Sequence, residues 1–126
     1  MLDMQNIIQE FLTYPERFSE DEHYIIAFVH LYQSQPQLFS SVKDSVAKLC
    51  DNLPDDLENI SEAILEWCQD GDRNIYGEFL KILPNNTKAP GGKKNLNVEQ
   101  AKELIEQGVR NSIPSKQTNE QNKPSS

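Results

Sequence analysis

Ser19-Glu20-Asp21-Glu22-His23-Tyr24-Ile25-Ile26-Ala27-Phe28-Val29-His30-Leu31-Tyr32-Gln33-Ser34 is the stretch whose reading decides the fold. Ser19 followed three residues later by Glu22 has the spacing of a helix capping box. Glu20, Asp21 and Glu22 fill the first turn, where carboxylates favour the positive end of the helix dipole. Tyr24, Ile25, Phe28, Val29, Leu31 and Tyr32 then cover most of the helix circumference, so the segment must be enclosed by other elements. It predicts a central helix over 20–34, stopped by Pro36.

Working outward, the same rhythm recurs. Asp3 caps a predicted helix over 3–13 with Ile7, Ile8, Phe11 and Leu12 as its apolar stripe, ended by Pro15. A third helix is expected over 37–52, with Leu38, Phe39, Val42, Val46 and Leu49 inward. Pro54 opens a fourth, over 55–69, whose first turn carries Asp55, Asp56 and Glu58 and whose apolar face is Leu57, Ile60, Ile64, Leu65 and Trp67. After the turn Asp70-Gly71-Asp72 a fifth covers 73–83, with Ile75, Tyr76, Phe79, Leu80, Ile82 and Leu83. Strand-like alternation is not sustained anywhere. The expectation is an all-α fold in which two helical hairpins and an N-terminal helix form an acidic bundle over 1–83. A faint echo of 27–33 in 63–69, 36 residues on, fits paired hairpins, though amphipathic helices resemble one another by chance as well.

From Pro84 to Asn97 the periodicity vanishes, and Pro84, Pro90, Gly91 and Gly92 predict a flexible linker. Asn97 then caps a sixth amphipathic helix over 98–113, with Val98, Ala101, Leu104, Ile105 and Val109 on one face and Gly108 as its weak point. Residues 114–126 are polar and are expected to be a disordered tail.

The 126-residue chain has a net charge of −8, divided unevenly. Residues 1–83 hold 16 acidic and 5 basic side chains, and residues 84–126 hold 4 and 7. An acidic body opposes binding to phosphate backbones, so nucleic acid is not an expected partner. No apolar run approaches the roughly 18 residues needed to cross a bilayer, and no basic-then-apolar leader opens the chain. These features lead to the expectation of a cytoplasmic protein without membrane contact.

Motifs that would carry chemistry break down. Asp70, Asp72, Asn74 and Glu78 match four positions of a calcium loop, but Ile75 stands where the turn glycine belongs and Lys81 where the bidentate glutamate belongs. His23, His30, Cys50 and Cys68 lack the short paired spacing of zinc ligands, and the two histidines read as surface or boundary residues. Cys50 and Cys68 fall near helix C-termini, where the dipole disfavours a thiolate. No catalytic residues, metal or cofactor are expected. The sequence therefore points to a non-enzymatic interaction or adaptor module, its sixth helix docking on a partner protein, on a second copy, or on its own body. Leu104, Ile105 and Val109 on that helix are the candidate contacts, with Trp67 and Tyr14 as aromatic anchors near helix ends. The alternative is an acidic regulator or inhibitor that occupies a basic, nucleic-acid-binding surface of a target.

Overall fold

The computed structural model describes residues 3–83 and 96–112, with the side chain of Ser112 excepted. Residues 84–95 of the linker expected over 84–97, Ile113 at the end of the helix expected over 98–113, and the tail at 114–126 lie outside the described residues. Among the described residues there are six α-helices: α1 (Met4–Thr13), α2 (Glu20–Ser34), α3 (Lys43–Asp51), α4 (Leu57–Asp70), α5 (Arg73–Ile82) and α6 (Val98–Gly108). Three 3-10 turns, Pro15–Arg17, Pro36–Phe39 and Arg110–Ser112, accompany them. No strand occurs among the described residues, and none of the helices is long and apolar enough to cross a membrane.

The caps form as the sequence dictates. Asp3 accepts from the Asn6 amide, and Ser19 and Glu22 close a reciprocal capping box. Asn97 and Gln100 form a second capping box at the start of α6. Asp56 accepts from the Asn59 amide at 2.8 Å, so α4 starts at Leu57 and Pro54 precedes the helix instead of opening it. Asp72, in the spot that mimics a calcium loop, caps α5 through the Asn74 amide at 2.7 Å.

α2 is the axis of the molecule. Ile25, Ile26, Ala27, Phe28, Val29 and Leu31 are fully buried, because α1, α4, α5 and α6 all pack around it. Phe28 and Phe39 meet edge-on at 6.1 Å, and Trp67 lies parallel to Phe39 at 6.1 Å. This cluster accounts for the main departure from the expected third helix. The segment is broken into the turn Pro36–Phe39 and the shorter α3, because Pro36 sets a tight turn that drives Phe39 into the core. Ser40 and Ser41 follow, and Val42 at the helix start offers no capping side chain. α3 packs on α4 and on the turn Arg110–Ser112, not as a hairpin partner of α2.

α6 does not project. Ala101, Leu104 and Val109 are fully buried and Ile105 is 1 % exposed, packed on α2 with further contacts to α1. Leu96, assigned from sequence to the linker, is also buried. Two side chains expected in the core face outward instead: Leu12 is 43 % and Leu80 46 % exposed. Each follows the last inward aromatic of its helix, Phe11 or Phe79, and one residue further turns the side chain about 100° away from the core.

Candidate interaction surface

The five residues predicted from sequence to contact a partner separate into three environments. Leu104, Ile105 and Val109 spend their apolar surface inside the molecule. Trp67 is half-buried, edge-on to Phe28, and its indole N–H donates to Ser45 Oγ at 2.7 Å. Tyr14 remains 44 % exposed at the end of α1, where the Arg17 guanidinium lies 4.1 Å from its ring centre. The structure thus leaves Tyr14 accessible, holds Trp67 in the aromatic cluster, and closes the α6 face.

That closure rests on contacts the sequence did not disclose. Glu22 is fully buried, and its two carboxylate oxygens serve different parts of the chain. Oε1 accepts the Ser19 amide at 2.8 Å, and Oε2 accepts the Leu96 amide at 2.6 Å. The capping-box spacing reveals the first bond; nothing in the linear sequence reveals the second. At the far end of α6, the Gln33 side chain donates to the Gly108 carbonyl. A Cβ on Gly108 would stand 2.7 Å from Met4 Sδ and would also collide with Val29. Lys102 pairs with Asp55 at 2.6 Å and Arg110 with Asp51 at 3.0 Å. The hydrogen bond from Lys102 holds the Asp55 carboxyl below its usual range, and the one to Asp51 raises Arg110 further.

A cleft of about 330 Å³ between α3 and α6 is lined by Cys50, Asp51, Leu53, Lys102, Glu106 and Arg110. Its cations are already paired with aspartates. Burial pushes the Cys50 thiol up to about 12 despite the opposing pull of Arg110, and burial likewise pushes Cys68 up to about 12. Both are free thiols held away from the nucleophilic form. His23, expected at the surface or its boundary, is 1 % exposed beside Phe11, with Nε2 2.7 Å from the Pro15 carbonyl oxygen and Nδ1 without a hydrogen-bond partner among the described residues. It is drawn inward because the turn Pro15–Arg17 packs α1 against α2 and offers it an acceptor. His30 is half-buried, and burial lowers its pKa. Among the described residues no group of three or more His, Cys, Asp or Glu is arranged to hold a metal ion.

What the body presents outward is charge. Glu58, Glu62, Glu66 and Asp70 recur every four residues along α4, and all are exposed. Four-residue spacing on a helix advances about 6 Å per step, so the carboxylates form one slanting ridge about 18 Å long. Among the described residues, the ion pairs engage Glu10, Glu78, Asp55 and Asp51, and no basic side chain reaches any of the four ridge carboxylates. Such a row of like charge is a modest burden on the isolated helix, since like pairs four apart repel.

α5 lies beside the ridge. The two helices are joined by Gly71 and Asp72, and Gln69, on the ridge side of α4, donates to the Tyr76 hydroxyl at 3.4 Å. Beyond that seam lie half-buried Tyr76, Gly77, whose position has no neighbouring atom within 4 Å of an added Cβ, and exposed Leu80. The chain matches no protein-family model, no curated protein and no solved structure.

Proposed function

We propose that this protein is a non-enzymatic interaction module that offers the acidic ridge of α4 to a basic surface of a partner protein. The observation that carries the reading is the division of labour between α4 and α6. The apolar face of α6 is consumed inside the fold, whereas the carboxylates of Glu58, Glu62, Glu66 and Asp70 point outward without a cation among the described residues. A field of one sign steers and orients an oppositely charged partner, and it acts over roughly 8 to 10 Å at physiological salt. The cleft beside Cys50 favours the same reading over catalysis, because its thiol stays protonated near neutral pH and its cations are neutralised.

The experiment is affinity capture from native lysate by the full chain and by the E58Q/E62Q/E66Q/D70N variant, each at low salt and at about 0.5 M salt. Captured proteins are expected to be lost with the variant and at high salt, while its helical circular dichroism stays that of the parent. Capture that survives both changes overturns the proposal.

A further inference from the structure

We propose that Asp70-Gly71, at the end of α4, is a modification site: the Asp70 side chain closes on the Gly71 amide as a succinimide, and reopening of the ring leaves an isoaspartyl residue, the substrate of a protein-carboxyl methyltransferase. The sequence supplies the chemistry. Asp70-Gly71 is the one Asp-Gly pair in the chain, and Asn-Gly does not occur. Ring closure brings the amide nitrogen of the following residue onto the aspartate Cγ, and a side chain on that residue hinders the approach. Glycine removes the hindrance and leaves the backbone free to turn.

The fold leaves both reacting groups at liberty. Asp70 is the last residue of α4, Gly71 is its C-cap, and both are exposed. Tyr14, Gln35 and Val109, which close α1, α2 and α6, donate their amides to backbone carbonyls at 2.7, 2.8 and 2.8 Å. Gly71 makes no such bond among the described residues. The neighbouring side chains are committed: Gln69 donates to the Tyr76 hydroxyl at 3.4 Å, and Asp72 accepts the Asn74 amide at 2.7 Å. The Asp70 carboxylate has neither an ion pair nor a hydrogen bond among the described residues. Helix ends fray at little cost, so the last turn of α4 samples the conformations that bring the nitrogen to Cγ.

The step balances without an oxidant or reductant. The Gly71 nitrogen bonds to Asp70 Cγ and loses its proton, and the protonated carboxyl releases its OH, so that one water leaves. Water then adds to either ring carbonyl. Opening at Cγ restores aspartate. Opening at the main-chain carbonyl routes the chain through Cβ and Cγ and frees the former main-chain carbonyl as a carboxylate. Charge and mass are those of the starting chain, but the connection between α4 and α5 gains one backbone carbon, and the carboxylate leaves its place beside Glu66.

The full-length chain is aged in warm neutral buffer, folded and in guanidinium, and the peptide holding Asp70 is followed by chromatography and by electron-transfer fragmentation, which reads isoaspartate at unchanged mass. A second readout is methyl transfer from S-adenosylmethionine by purified isoaspartyl methyltransferase. An isomeric peptide that accepts methyl groups at residue 70 is expected to accumulate in the folded chain, within about tenfold of the rate in the unfolded one. Asp70→Glu, which would need a larger ring, should lose the signal while its circular dichroism stays that of the parent. Asp70→Asn should give the same product faster, with release of ammonia. Gly71→Ala, whose added Cβ would stand 3.0 Å from the Trp67 carbonyl oxygen, should slow it. Isomerisation in the unfolded chain and none in the folded one would show that the fold protects the pair, and the proposal falls. Methyl transfer undiminished in Asp70→Glu places the reaction elsewhere and overturns it equally.

Discussion

Two helical glycines divide this molecule into an inside and an outside. Gly108 ends α6 where a single added carbon would strike Val29 and lie 2.7 Å from Met4 Sδ; Gly77 sits inside α5 where the same carbon would touch nothing. The residue type and local conformation are alike, so the difference lies in what faces each position. Around Gly108 the chain has met itself, with α1, α2 and α6 in contact. Around Gly77, and along the carboxylates of α4, the described fold offers no counterpart. Helix propensity disfavours glycine chiefly in a helix interior, where Gly77 lies; packing against Val29 and Met4 accounts for Gly108, and the described fold leaves Gly77 unexplained.

The comparison breaks most visibly at Leu104. If α6 belongs to the inside, Leu104→Ala should cost about 2–5 kcal/mol, the usual range for emptying a fully buried leucine site. A urea titration monitored by circular dichroism measures it. A loss below about 0.5 kcal/mol would return α6 to the surface. The glycines themselves give the next effect, with opposite signs. Gly108→Ala should destabilise by about 1–3 kcal/mol through overpacking against Val29 and Met4, and Gly77→Ala should stabilise by about 1 kcal/mol. Changes of the same sign would show that the two environments are not distinct.

The smallest effect sharpens the boundary. Asp55 titrates below its ordinary value because Lys102 donates to it. A depressed folded-state value means that the pair contributes above the unfolded carboxyl pKa and that its contribution fades as pH falls through the folded one. Lys102→Gln should move the Asp55 midpoint, read by carboxyl-detected NMR, back up toward 3.8 with scarcely any change in melting temperature. An unmoved midpoint would mean that this ion pair does not hold α6 to the loop before α4.

Much of the fold was legible in the sequence because caps and apolar periodicity are local properties. Ser19 with Glu22, Asn97 and the inward stripe of α2 each mark themselves within a few residues. The break in the third helix was not legible. Phe39 leaves helical geometry to join Phe28 and Trp67, and that attraction lies in tertiary space. The same holds for Leu80 and Leu12, which fit a helical pattern but fall just past its buried edge. The candidate surface was legible only as an excess of negative charge, with no hint of which carboxylates stand together. The apolar face of α6 called for burial somewhere; its address, on α2, needed the folded chain. Removing 85–126 would therefore strip part of the core as well as any contact with a partner.

Glu22 ties these observations to folding order. A single carboxylate terminates the free amide of Ser19 and the amide of Leu96, 74 residues further along. The first turn of α2 and the entry to α6 thus depend on one side chain, and any displacement of Glu22 releases both donors. Native-state hydrogen exchange should find those two amides opening as one cooperative unit. The acidic half of the chain would then reach its final rigidity only after residue 96 is in place, so a ribosome-bound chain that has not yet emerged past that point would hold the α4 ridge on an unfinished scaffold.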